Sequence, residues 1–111
     1  SPAALKAEVR KTMDLCVSVG LEPMHLVAWQ AFWVGLFCRI LHTMETGTVT
    51  SKKAAMTWAE AVLDPRWSGL IARARALRKG HESAAEPADP DEVEATRAFV
   101  DYAMAYADRA A

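Results

Sequence analysis

The sequence predicts an all-α fold, a compact bundle of about five helices around one central apolar helix. Alanine is abundant, β-branched residues are sparse, and no strand-like alternation persists along the chain. A hydrophobic fraction of 52%, with five glycines and five prolines, favours a packed core over disorder. With 111 residues the chain is long enough for one domain only, so we expect residues 1–111 to form a single helical domain.

Charge and cysteine content argue against several classes of protein. The formal net charge of −1 gives no global attraction for nucleic acid. Cys16 and Cys38 lie on apolar helical faces without CxxC spacing, which is typical of buried free thiols in a cytoplasmic protein. The apolar run 26–41 is short for a membrane span and contains Gln30 and Arg39, so we expect a core helix. The start of the chain looks like a domain cut from a longer protein.

The first two helices should supply much of the core. Helix one is predicted from Ala3 to Val19, with Gly20 as its stop, and apolar residues recur along it at three- and four-residue steps. Helix two is predicted to begin at Pro23 and to end at Gly47. The second helix is apolar nearly all round, which predicts burial by neighbours on most sides. Its large core candidates are Trp29, Phe32, Trp33, Leu36 and Phe37.

Arg39 is the most informative polar residue of this apolar helix. An arginine stays charged, so its burial demands an anionic partner or a path to water. It is either a structural arginine that snorkels or pairs with a carboxylate, or a group that awaits a ligand phosphate or carboxylate.

Helix three should run from Lys52 to Leu63 with Ser51 as its N-cap. Lys52 and Lys53 occupy the first turn, where the helix dipole disfavours cations. They are either solvated lysines or, beside free backbone N–H groups, part of an anion site. The predicted buried face contains Ala54, Ala55, Trp58, Ala59 and Val62.

Two further helices complete the bundle. Asp64 caps helix four, predicted from Arg66 to Lys79 with a stop at Gly80, and the basic side chains of this helix form either a solvated face or one wall of an anion cleft. A polar loop over 81–89 precedes helix five, which should begin at Pro90 behind the cap Asp89 and extend to about Asp108.

Catalytic and metal signatures are not legible in the sequence, so we predict no catalytic residue and no metal ligand in this chain. The three histidines lack zinc-ligand spacing, and no phosphate-binding glycine loop or nucleophile elbow occurs. Asp89 and Asp91 could bind Mg²⁺ as a pair, but both carboxylates are expected to cap helix five.

An ordered set of motifs resembles the C-terminal helical domain of the adenylyltransferases that act on streptomycin and spectinomycin. The similarity runs without gaps from about residue 38 to 80, and more loosely to 106. Its members are Cys38-Arg39-Ile40-Leu41, Thr46-Gly47, Ser51-Lys52, Trp58, Leu63 with Asp64-Pro65, Ala74-Arg75, Gly80 and the helix from Glu94 to Tyr102.

The resemblance implies the substrate- and nucleotide-binding part of an enzyme that transfers an adenylyl group from ATP to a hydroxyl of an aminoglycoside-like antibiotic. It also implies an N-terminal nucleotidyltransferase domain with the catalytic base and the Mg²⁺-binding acids, so that ATP and Mg²⁺ are bound by the full-length enzyme and not by this chain alone. By position, Arg39, Lys52 and Arg78 resemble phosphate-binding cations.

The acceptor side of the site departs from the family pattern. The family places acids where this chain has His25 and Trp29, which we therefore assign to substrate binding, and an aromatic residue where it has Arg78. The alternative is a non-enzymatic module for protein interaction or regulation, with the Trp-rich face of helix two as its partner surface.

Overall fold

A computed structural model describes residues 1–80 and 86–111, and the side chains of residues 1–77 and 86–111. It confirms the all-α prediction. The helices are α1 (Pro2–Ser18), α2 (Val27–Thr46), α3 (Lys52–Val62), α4 (Ser68–Gly80) and α5 (Pro90–Ala110), and a short 3-10 turn at Pro65–Trp67 precedes α4.

The apolar helix α2 is the centre of the bundle, as predicted. It packs against α1, α3, α4 and α5, and its apolar residues on nearly every side supply surface to each neighbour. The fully buried side chains of α2 include Val34, Phe37, Cys38 and Leu41. Trp29 is an exception, because 39% of it is exposed and it lies at the edge of the core.

Side-chain caps fix the starts of three helical segments at the positions that the sequence predicts. Ser51 Oγ accepts a hydrogen bond from the Ala54 amide at 3.1 Å. Asp64 accepts from the Arg66 amide at 3.0 Å, and Asp89 accepts from the Asp91 amide at 2.8 Å. Each oxygen satisfies a first-turn N–H that has no partner within its own helix.

The start of α2 is four residues later than predicted. Pro23 lies outside the helix, which begins at Val27. The cause is a long-range pairing: Leu26 is extended and forms an isolated bridge with Pro87, and the Val27 amide donates to the Glu86 carbonyl at 3.0 Å. Because this partner lies more than fifty residues away in the chain, the local sequence around Pro23 could not predict where the helix begins.

Three residues expected in the core are exposed. Val19 is 63% exposed and Val62 is 51% exposed, and Ala54 is also exposed. Val19 caps the C-terminal end of α1, and Val62 is the last residue of α3. The apolar periodicity continues to the ends of these helices, but no neighbouring element in the described part of the chain covers the side chains there.

An ion pair joins the first helix, α1, to the last helix, α5. Arg10 of α1 donates to Asp108 of α5 at 2.5 Å and to Asp14 at 3.1 Å. Both carboxylates favour the charged guanidinium, and the hydrogen bond to Asp108 is the main reason why the pKa of Arg10 is raised.

Among residues 1–80 and 86–111, no helix is both long and apolar enough to cross a membrane.

Candidate functional site

One face of α2 carries the polar and aromatic groups that the sequence singled out. Trp29, Phe32, Leu36 and Arg39 follow one another at steps of three, four and three residues, so they share one side of the helix. All four are at least partly exposed, whereas Trp33, Val34, Phe37 and Cys38 on the remaining surface are buried.

The first turn of α3 brings a second cation to this face. The Lys52 ammonium lies 4.0 Å from the centroid of the Phe32 ring. That distance is within the range of a cation–π interaction. We call Trp29, Phe32, Arg39 and Lys52 the aromatic–cation face. The start of α3 therefore lies beside the middle of α2, although Lys52 follows Phe32 by twenty residues.

Arg39 is half-buried at the other end of the aromatic–cation face. Within the described part of the chain, no hydrogen bond, ion pair or ring contact engages its guanidinium. Arg39 follows Phe32 by two helical turns, a separation of roughly 10 Å along the axis. No described carboxylate pairs with Arg39, so its five donors face water or a ligand, and both a snorkelling arginine and a ligand-binding arginine fit this geometry.

The two residues assigned to substrate binding occupy different surroundings. The Trp29 indole packs edge-on against Phe32 at 5.2 Å and is tilted to Trp33 at 6.1 Å. His25 precedes α2 and is exposed, and its carbonyl accepts a hydrogen bond from the Ala88 amide at 2.8 Å. Trp29 thus belongs to the aromatic–cation face. No contact in the described part of the chain links the His25 ring to that face.

The third predicted phosphate-binding cation, Arg78, lies outside the described side chains. Two other cations of α4 are described, and both are paired with acids. Arg73 donates twice to the Glu92 carboxylate, at 2.6 and 2.8 Å, and this hydrogen bonding raises the pKa of Arg73. Arg75 pairs with Glu60 of α3. Arg73 thus joins α4 to α5, and Arg75 joins α4 to α3.

A ring contact follows Arg39 along α2. The His42 imidazole lies edge-on to Trp58 of α3, with 5.3 Å between the ring centroids. Thr46 hydrogen-bonds the His42 carbonyl at 2.8 Å and Thr48 Oγ1 at 2.8 Å, which closes the turn between the two helices. These contacts fix the direction in which α3 leaves α2.

The surface proposed for a protein partner does not form as expected. Trp33 is only 8% exposed, so Trp29 and Trp33 do not make one exposed patch. The buried Trp33 instead supports Phe32, at 5.0 Å between ring centroids. This geometry counts against the interaction-module alternative.

Sequence reasoning missed a cleft on the opposite side of α2, with a volume of about 610 Å³. Buried Gln30 and Thr96 line it, and so do Arg73 and four acids, Glu86, Asp89, Asp91 and Glu92. Two of these acids are already engaged, because Glu92 pairs with Arg73 and Asp89 caps α5. Only the Asp89–Asp91 spacing pointed to this region. The remaining lining residues include Val27, Ala31, Val34, Leu70, Ala74, Leu77, Pro87 and Ala88.

Among residues 1–80 and 86–111, no three His, Cys, Asp or Glu side chains are grouped so that they could hold a metal ion.

Comparison with known proteins gives one match. No curated protein and no solved structure shows significant similarity to the chain. The family model described as the aminoglycoside adenylyltransferase C-terminal domain matches residues 6–105, which cover α2, α3 and α4 completely. The ordered motifs, the helical bundle and this match agree, and the chain belongs to the family of aminoglycoside adenylyltransferase C-terminal domains.

Proposed function

We propose that this domain supplies Arg39 and Lys52 as the phosphate-binding cations of an adenylyltransferase active site. Family membership implies an N-terminal catalytic domain as its partner. The complete enzyme would transfer an adenylyl group from ATP to a hydroxyl of an aminoglycoside-like antibiotic. The observation that carries the proposal is that the Lys52 ammonium of α3 lies over Phe32, on the face of α2 that also carries Arg39, and that no described group engages the Arg39 guanidinium.

The chemistry explains why two such cations are needed. Attack of a hydroxyl on the α-phosphorus builds negative charge on the phosphate oxygens and on the departing pyrophosphate. Fixed positive charges stabilise that developing charge more than they stabilise the ground state, provided that they are positioned in advance. Arg39 presents a planar fork of donors and Lys52 a compact ammonium, so together they can bind two parts of one triphosphate chain.

Trp29 and His25 are proposed for the acceptor side of the same site. The Trp29 indole is exposed and adjoins Phe32, so it offers a flat apolar surface to a sugar or cyclitol ring. His25 is exposed just before α2, where its imidazole would hydrogen-bond acceptor hydroxyls. Arg78 remains a third candidate for the phosphates.

The cellular setting follows from the proposed reaction. ATP is the adenylyl donor and would be bound as its Mg²⁺ complex by the complete enzyme, with the catalytic base and the metal-binding acids on the N-terminal domain. We therefore place the enzyme in the cytoplasm. Adenylylation of an antibiotic hydroxyl there would inactivate the drug and give resistance.

The test compares two adjacent lysines in the complete enzyme. We expect Lys52→Ala to raise the dissociation constant for ATP–Mg²⁺ about tenfold, as loss of a charge-assisted contact predicts. Lys53→Ala is the matched control, because Lys53 lies in the same first turn and is exposed. Isothermal titration calorimetry measures both. An unchanged affinity in Lys52→Ala, or equal losses in both variants, would refute the assignment.

The acceptor assignment has a separate readout. Trp29→Ala should raise the acceptor KM and leave the ATP–Mg²⁺ affinity within about twofold, because Trp29 contacts Phe32 but bears no charge. If Trp29→Ala leaves the acceptor KM unchanged, the stacking role is wrong while the phosphate role stands.

A further inference from the structure

We infer that Phe32 is a positioning residue that holds Lys52 in place to bind phosphate. The inference rests on the proposed function and extends it to a residue that the sequence predicts only as core. The Lys52 ammonium lies 4.0 Å from the Phe32 ring centroid, and no other lysine has such a ring contact in the described part of the chain.

A lysine in this location needs a restraint. Its side chain has four rotatable bonds, and the first turn of a helix disfavours its charge, so contacts with neighbouring groups are needed to hold the ammonium in one place. The negative face of an aromatic ring attracts the ammonium and limits this freedom. Such a contact leaves the formal charge of the ammonium intact, which is what an incoming phosphate requires.

The Phe32 ring is itself held in place. Its centroid lies 5.2 Å from that of Trp29 and 5.0 Å from that of Trp33, and both pairs meet edge to face. Trp33 is buried and anchors the ring from the core side, and Trp29 lies on the solvent side. The ring therefore presents a fixed face to Lys52.

The position of Phe32 also brings the two cations to one side of α2. Phe32 and Arg39 are two turns apart on the same side of α2, so the ammonium over the ring lies on the helix face that also carries Arg39. A less restrained Lys52 would reach the same phosphates in a smaller fraction of its conformations, and affinity would fall by that fraction.

A double-mutant cycle in the complete enzyme tests the inference. Phe32→Leu keeps an apolar side chain of similar size but removes the ring face. We expect it to raise the ATP–Mg²⁺ dissociation constant about two- to fivefold. In the Lys52→Ala background the same change should have no effect, because the group that Phe32 positions is gone. Phe32→Tyr should restore wild-type affinity. Trp58→Leu is the control, since Trp58 faces His42 and not Lys52.

The cycle separates the two ideas. If Lys52→Ala does not weaken ATP–Mg²⁺ binding, the proposed function fails. If Lys52→Ala weakens binding but Phe32→Leu costs the same in both backgrounds, only the positioning role fails.

NMR spectroscopy tests the contact between Lys52 and Phe32 without nucleotide and without a measurement of affinity. In ¹³C-lysine-labelled protein, the ε-methylene protons of Lys52 should be shifted upfield by the ring current of Phe32, and the shift should persist in Phe32→Tyr. A Lys52 signal at the position of the exposed lysines in the wild-type protein would overturn the inference whatever the variants do.

Discussion

Arg75 of α4 donates a hydrogen bond to the carboxylate of Glu60 on α3, and the pair joins two neighbouring helices. The side chains are 33% and 22% exposed, so the pair is partly shielded from water. Arg39 makes no such pair with any acid in the described part of the chain. The same residue type thus joins two helices at position 75 and lacks a described acidic partner at position 39.

This difference predicts opposite behaviour for two matched substitutions. Arg75→Gln should lower the free energy of unfolding by about 0.5–1 kcal/mol, as expected for a partly exposed ion pair, and leave ATP–Mg²⁺ affinity unchanged. Arg39→Gln should change stability by less than about 0.5 kcal/mol and weaken ATP–Mg²⁺ binding roughly tenfold. Urea unfolding and calorimetry on the complete enzyme measure the two effects. Equal losses of affinity in both variants would contradict the distinction.

The buried hydrogen bond between Thr96 and Gln30 predicts that substitution of Thr96 changes the free energy of unfolding but not the affinity for ATP–Mg²⁺. Thr96 Oγ1 donates to Gln30 Oε1 at 2.9 Å, and Gln30 Nε2 donates to the Met24 carbonyl at 3.2 Å. Thr96→Val keeps the shape but leaves the Gln30 oxygen without its donor, so we expect a loss of about 1–3 kcal/mol in the free energy of unfolding.

Thr96→Ser is the control for this pair, because it retains the hydroxyl and should recover most of the loss. Urea denaturation of the wild type and both variants gives the comparison. If Thr96→Val is as stable as the wild type, water must satisfy the Gln30 oxygen in its place.

Gly47 predicts a steric effect at the turn between α2 and α3. Its φ is +71°, and a Cβ added there would lie 2.8 Å from the Pro2 side chain. Gly47→Ala therefore combines a left-handed backbone with a contact that must relax, and we expect a loss of at least about 1 kcal/mol in the free energy of unfolding.

Gly69→Ala is the matched control for Gly47. Gly69 lies in α4, has no positive φ, and its added Cβ would meet only the end of the Arg73 side chain. Alanine should be neutral or stabilising there. Thermal unfolding, followed by circular dichroism, should show a lower melting temperature for Gly47→Ala and no decrease for Gly69→Ala, and equal melting temperatures of the two variants would refute the argument.

Helix existence and helix caps were predictable from sequence because their causes are local. Ser51, Asp64 and Asp89 act through hydrogen bonds to amides two or three residues away, and the αL conformation of Gly47 is set within one turn. The start of α2 was not predictable, because the Val27 amide is satisfied by Glu86 on a distant segment.

Some features of the candidate site were likewise predictable from the sequence, and others depend on how the helices pack. The unusual charge of Arg39 and Lys52 is visible in the sequence, but the contact of Lys52 with Phe32 depends on how α3 crosses α2. Arg75 could not be distinguished from Arg39 by pattern, since only the packing of α4 on α3 brings Glu60 to it. Apolar periodicity likewise could not show that Trp29 lies at the edge of the core while Trp33 lies within it.

The two cysteines predict a difference in reactivity that depends on pH. Burial raises the pKa of the Cys38 thiol from 9.0 to about 12, with a smaller contribution from Glu60, and the side chain is fully buried. Burial also raises the pKa of Cys16, but that residue is only half-buried. Thiolate is the reactive form. At pH 9 iodoacetamide should therefore modify Cys16 first in the folded protein, whereas both should react at similar rates in urea, as peptide mass spectrometry would show.

The raised pKa of Cys38 also fixes the sign of a stability effect. Between pH 9 and about 12 the folded chain keeps the Cys38 proton while the unfolded chain releases it, so the free energy of unfolding must fall as the pH rises through this window. One proton accounts for at most about 1.4 kcal/mol per pH unit. Below pH 8 the thiol is protonated in both states and contributes no slope. Cys38→Ala should flatten the decline between pH 9 and 11 relative to Cys16→Ala, and parallel slopes in the two variants would show that other groups cause it.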